Sequence, residues 1–168
     1  EDELNTINDI AAKRNTKANI SIRVNPDINV DTHPYITTGM KDNKFGIEES
    51  EIVSTYVKAS KLPAVNIIGI DFHIGSQILE TKPYLDSLIK IFDIIDHLRS
   101  LGITLSHLDI GGGLGIPYKD ESTVSKKDFI SEVLKKISDK NLALIIEPGR
   151  SIVGDAGLLI TKVINTKK

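Results

Sequence analysis

Apolar side chains fall into helical rhythms in some segments and into short unbroken runs in others. Leu4, Ile7, Ile10 and Ala11 have helical spacing over residues 2–14. Asn19 to Val24 is a short β-branched run that ends at Asn25-Pro26, where a ladder cannot continue. Residues 26–46 are punctuated by His33-Pro34, Gly39 and Gly46 and predict a loop. A second helix carries Ile52, Val53, Tyr56 and Val57 on one face and stops at Pro63. Val65 to Phe72 predicts a buried strand, because it is apolar throughout rather than alternating. A long helix over about 82–101 follows, with Thr81 as its cap, Pro83 in its first turn and Gly102 beyond its end. Its core stripe is Leu85, Leu88, Phe92, Ile95 and Leu98. A strand over Leu105–Ile110 precedes a helix from about 126, capped by Ser125 with Asp128 three residues on. Strands over Leu142–Ile146 and Gly157–Ile164 complete the pattern.

Helices alternating with apolar strands predict β-α-β crossovers in a parallel sheet, an α/β fold. The strand centres near 68, 107 and 144 are about 38 residues apart, a long but ordinary β-α repeat. An open doubly wound sheet and part of a barrel both satisfy that spacing. The chain has 168 residues, enough for one domain but short of the roughly 250 of a full (β/α)8 barrel.

Composition removes several function classes. The 21 Lys+Arg balance 23 Asp+Glu to a net charge of -2, with no basic block, so nucleic acid is not an expected partner. No apolar run approaches the roughly 20 residues that span a bilayer, so no membrane partner is expected either. The acidic start is neither a signal peptide nor a transit peptide. Zero Cys excludes disulfides and thiolate metal sites and fits a cytoplasmic location. No His and acidic residues have metal-ligand spacing, so no metal is expected.

The strand ends carry the chemistry. They read Arg23-Val24-Asn25-Pro26, His73-Ile74-Gly75-Ser76-Gln77, Asp109-Ile110-Gly111-Gly112-Gly113-Leu114-Gly115 and Glu147-Pro148-Gly149-Arg150. Parallel strands bring their carboxyl ends to one rim, where such folds bind ligands. Gly111, Gly112 and Gly113 suit a phosphate, and they equally suit a tight strand-to-helix turn. The P-loop pattern is absent, and Ile116 occupies the third glycine's place in a dinucleotide fingerprint. A lone His73 is most simply a core histidine; at a strand end before Gly-Ser it faces a ligand. Glu147, after an apolar run, needs a cation, and Arg150 is the simplest candidate. Alternatively Glu147 holds a protonated ring nitrogen while Arg150 grips an anion. His97 and His107 are expected to be structural.

In this order, the last three strand-end motifs resemble those of the fold-type III pyridoxal-phosphate decarboxylases, and among these the enzymes acting on diaminopimelate. Arg23-Val24-Asn25-Pro26-Asp27, the stretch Thr32-His33-Pro34-Tyr35-Ile36-Thr37-Thr38-Gly39, and Lys44-Phe45-Gly46 extend the likeness over about residues 20–164. The resemblance implies a partial (β/α)8 barrel of the alanine racemase-like kind over 1–156, truncated at both ends, with 157–168 a strand leaving toward a C-terminal β-domain. It implies the cofactor pyridoxal 5'-phosphate. His73 would stack on its ring; Ser76 and the amides of Gly111, Gly112 and Gly113 would hold its phosphate. Glu147 would pair with the ring nitrogen, and Arg150 would contact the phosphate or a substrate carboxylate, with Gln77 beside it at the substrate. His73 and Glu147 are thus the implied catalytic pair.

The implied reaction is conversion of meso-diaminopimelate to L-lysine and CO2, by a full-length enzyme that is a cytoplasmic homodimer. Ornithine, arginine and carboxynorspermidine decarboxylases remain alternatives, as does a non-catalytic regulatory relative. The family's cofactor-binding lysine lies upstream of this stretch, and its catalytic cysteine lies in the C-terminal domain. Lys17-Ala18-Asn19 is similar to that lysine's surroundings, but Lys17 precedes its strand and falls on the rim opposite His73 and Glu147. The 168-residue chain alone is therefore expected to release no CO2.

Overall fold

The computed structural model describes residues 2–28 and 45–167. The Thr32–Gly39 motif and Lys44 lie outside them. The elements in chain order are α1 (Asp2–Lys13), β1 (Ala18–Asn25), β2 (Ile47–Glu48), α2 (Glu49–Ala59), β3 (Val65–Asp71), α3 (Lys82–Ser100), β4 (His107–Asp109), α4 (Lys126–Ile137), β5 (Ala143–Ile145) and α5 (Arg150–Val153). All strands pair in parallel, in the order β2-β1-β3-β4-β5.

This order decides between the two architectures. From β1 through β3 and β4 to β5 the strands follow the chain without reversal, whereas a doubly wound sheet reverses. The helices between them, α2, α3 and α4, pack side by side and share one apolar core with the sheet. That core joins Ile52 and Tyr56 of α2, Leu88, Ile91 and Leu98 of α3, and Phe129 and Val133 of α4 to Val24, Ile70 and Leu108. Each such side chain contributes about 2 kcal/mol by leaving water. Helices on one face and a singly wound sheet make this an arc of a (β/α)8-type barrel.

The other face, which becomes a barrel's interior, is polar here. Register places Arg23, Asp71 and Asp109 side by side in one row, and Ser21, Gly69 and His107 in the next. Ser21 Oγ donates to Asp71 at 2.7 Å. Burial pushes the Asp71 carboxyl up from its ordinary range, against that hydrogen bond. A bulge keeps the rows aligned: Ile20 pairs with Ile67 but Ser21 with Gly69, leaving Ile68 as the extra residue.

Local signals hold unevenly. Ser125 caps α4, its Oγ accepting the Asp128 N–H at 3.0 Å, an arrangement worth about 1 kcal/mol. Thr81 does not cap α3 with its side chain. The next residue but one is Pro83, which has no N–H to offer, and the Tyr84 N–H goes to the Thr81 backbone carbonyl at 3.0 Å. The strand expected over Gly157–Ile164 does not form. No strand among the described residues supplies it with a ladder, and Leu158, Leu159 and Ile160 are 94%, 95% and 91% exposed.

Candidate active site

Backbone hydrogen bonds continue the ladder past the strand ends and set the spacing of the rim. Phe72 N–H donates to the Asp109 carbonyl at 3.1 Å, Ile110 to Ile145 at 3.1 Å, and Glu147 to Gly111 at 2.8 Å. His73, the glycine run and Glu147 therefore emerge side by side. The half-buried His73 ring accepts the Gly112 N–H on Nδ1 at 3.2 Å. An accepting Nδ1 carries no proton, so the ring is the neutral tautomer with its hydrogen on Nε2. Burial lowers the proton affinity of His73, and Arg23 lowers it further; Glu147 and Asp109 act weakly the other way.

The glycine run is shaped by close backbone packing. Gly111 has φ +69°, and a Cβ there would come within 2.6 Å of the Phe72 carbonyl oxygen. A Cβ on Gly112 would strike the Glu147 carbonyl, and one on Gly113 the Gly75 carbonyl. Packing alone thus accounts for all three residues. Their amides are not equivalent. Asp109 Oδ1 takes the Gly111 N–H at 2.8 Å, and His73 takes that of Gly112. Of the three, only the Gly113 N–H has no acceptor among the described residues, so the expectation of three amides turned to a phosphate narrows there to one. The Ser76 hydroxyl, half-buried on the neighbouring loop, likewise has no partner among the described residues.

Tyr84 is an anchor that periodicity did not flag. It is 1% exposed, and its Oη donates to the Gly112 carbonyl at 2.8 Å, fixing that peptide. Burial pushes its phenol up. Its sequence signal was a hydroxylated aromatic one residue before the α3 stripe. Tyr84→Phe leaves the Gly112 oxygen without its donor and is expected to cost about 1.5 kcal/mol of stability, read as a lower denaturation midpoint of the full-length protein. An unchanged midpoint would show that the loop holds its shape without Tyr84.

Glu147 and Arg150 do not pair. Among the described residues β5 is the last strand of the sheet, and Glu147 is exposed. Among the described residues Glu147 has no ion-pair partner. Arg150 Nη1 instead donates to Gln77 Oε1 at 2.8 Å, with its guanidinium 5.7 Å from the Tyr118 ring centre. Both polar atoms of the Gln77 amide are bonded within the protein. His107 meets Ser106 Oγ at 2.8 Å, and His97 lies exposed on α3. Arg23 lies at the rim as its strand-end motif predicts, its guanidinium 5.7 Å from the Phe45 ring centre.

Among the described residues the rim thus presents a neutral imidazole, an unpaired carboxylate, an unpaired hydroxyl and amide, and a guanidinium with donors to spare. This set fits a flat, protonatable ring bearing an anionic arm, as in pyridoxal phosphate: carboxylate for ring nitrogen, imidazole for ring face, small donors for phosphate. No group of three or more His, Asp or Glu could hold a metal among the described residues. No helix there is long and apolar enough to cross a membrane.

Residues 1–154 match the family described as pyridoxal-dependent decarboxylase, pyridoxal binding domain. The diaminopimelate decarboxylase of Pseudomonas aeruginosa is 44% identical over 162 residues, which are 96% of this chain and 39% of that one. A crystal structure of diaminopimelate decarboxylase from Helicobacter pylori complexed with L-lysine superposes with a TM-score of 0.81 at 43% identity, covering 89% of this chain and 38% of that one. A lysine decarboxylase structure from Selenomonas ruminantium gives a TM-score of 0.69 at 28% identity, covering 89% and 37%. The chain spans about two fifths of the length of these relatives.

Proposed function

The chain belongs to the pyridoxal-dependent decarboxylases, matching their pyridoxal-binding domain, and on that premise we propose that the full-length protein converts meso-diaminopimelate to L-lysine and CO2 with pyridoxal phosphate. The observation that carries this reading is the unpaired Glu147 carboxylate beside the neutral His73 ring. The cofactor supplies an electron sink for the pair left behind when a carboxylate departs as CO2. Glu147 holds a proton on the ring nitrogen, which deepens that sink. His73, kept neutral by the Gly112 N–H, lies against the ring face without setting one positive charge on another. Ser76 and the Gly113 N–H receive the phosphate, while Gly111 and Gly112 shape the loop around it.

The exposed apolar side chains at 158–160 support a further proposal, that residues 157–168 leave the barrel over 1–156 to pack against a second domain. A cytoplasmic homodimer is the assembly that goes with this reading. The test is direct: full-length protein, pyridoxal phosphate and meso-diaminopimelate should give L-lysine and CO2 in equal amounts. Bound cofactor with no lysine formed would overturn the substrate, and absence of cofactor binding would overturn the whole reading.

A further inference from the structure

Gln77 is 7% exposed and its backbone is left-handed, with φ at +60°. A side chain other than glycine adopts that conformation only when its surroundings hold it there. Here both polar atoms of the amide are engaged. Nε2 donates to the Ile116 carbonyl at 2.5 Å, and Oε1 accepts the Ile116 N–H at 3.3 Å. The same Oε1 accepts Nη1 of Arg150 at 2.8 Å. One side chain thus ties together the segments that follow β3, β4 and β5. Gly115 closes on it so tightly that a Cβ there would lie 3.2 Å from Gln77 Cδ.

What Gln77 does to Arg150 depends on its being an amide. Arg150 has no carboxylate within ion-pair distance among the described residues. Its guanidinium carries five N–H donors in a fixed fork, and Gln77 takes only one of them. A neutral oxygen orients that fork and leaves its charge intact, whereas a carboxylate in the same place would orient and neutralise it.

We propose that Gln77 is a positioning residue, holding the Arg150 guanidinium aimed and un-neutralised toward an anionic group of the ligand, a phosphate or a carboxylate. The inference rests on the cofactor reading above, since both anions arrive with pyridoxal phosphate or its amino-acid substrate.

Two variants of the full-length enzyme separate aim from charge. Q77E keeps the shape and pairs with Arg150; Q77M keeps the length and loses every hydrogen bond without adding charge. Each is titrated as apoenzyme with pyridoxal phosphate and with pyridoxal, which lacks the phosphate, and KM for meso-diaminopimelate is measured on the loaded enzyme. Q77E is expected to weaken the anion's binding about thirtyfold and Q77M about fivefold. Loss for pyridoxal phosphate but not pyridoxal identifies the phosphate; a raised KM with unchanged cofactor affinity identifies the substrate carboxylate. Equal losses in the two variants overturn the charge argument. Q77E within threefold of wild type on both ligands overturns the proposal. If Q77E does not fold, Q77M decides alone: equal losses for pyridoxal phosphate and pyridoxal with KM unchanged, or no losses at all, overturn it. A wild-type protein that binds no pyridoxal phosphate overturns the cofactor reading and this inference with it, an outcome distinct from variants that alone behave as wild type.

Discussion

Replacing Glu147 by Gln in the full-length holoenzyme is expected to lower kcat about a hundredfold. Gln reproduces the shape of the side chain and removes its charge. The backbone position is secured independently, because the Glu147 N–H is bonded to the Gly111 carbonyl at 2.8 Å. Among the described residues no cation pairs with the carboxylate, since Arg150 is engaged by Gln77 instead. Its charge is therefore available to keep the ring nitrogen protonated as negative charge develops. Losing about 3 kcal/mol of transition-state stabilisation gives the stated factor. Cofactor affinity should fall far less, because Ser76, Gly113 and Arg150 are untouched. Single-turnover kinetics and cofactor titration of the one variant check both. A kcat within about threefold of wild type would remove Glu147 from the electron-sink role.

What the sequence revealed follows physical range. β3, α3 and α4 were legible because their signals are local: an apolar run, a helical stripe, and Ser125 three residues before Asp128. The rim motifs were legible because parallel strands must deliver their carboxyl ends to one side. The rest depended on partners distant in the chain. Thr81 had the right residue type for a cap, but Pro83 removed a donor and the backbone took the other. Gly157–Ile164 has strand composition, yet a strand exists only where another supplies a ladder. Glu147 follows an apolar stretch, but the salt bridge to Arg150 that this suggests does not form, because Gln77 takes the guanidinium instead. Gln77 is 73 residues from Arg150, and no spacing rule joins them.

The full-length enzyme should prefer meso-diaminopimelate to ornithine and to arginine by roughly 10^4 in kcat/KM. Diaminopimelate carries both a carboxylate and an ammonium at its distal end, whereas ornithine carries only the ammonium. A site for ornithine needs a spare carboxylate; a site for diaminopimelate needs a spare cation, best supplied as a guanidinium fork. Three of the rim's acids already have roles: Asp109 holds the Gly111 N–H, Asp71 accepts from Ser21, and Glu147 is assigned to the ring nitrogen. Its guanidiniums are Arg23, at the end of β1 over Phe45, and Arg150, with four donors beyond the one given to Gln77. What this rim has to spare is guanidinium N–H donors, which suits the additional carboxylate. Ligands without that group would leave a desolvated guanidinium unpaired, and a site built for a buried polar partner rejects such analogues far more strongly than a missing methylene would be rejected. Competition among the three amino acids in one reaction, with each product quantified, measures the ratio directly. Equal or faster turnover of ornithine would place an acid from elsewhere in the full-length protein at the distal end and overturn the substrate assignment, while leaving the roles of His73 and Glu147 toward the cofactor intact.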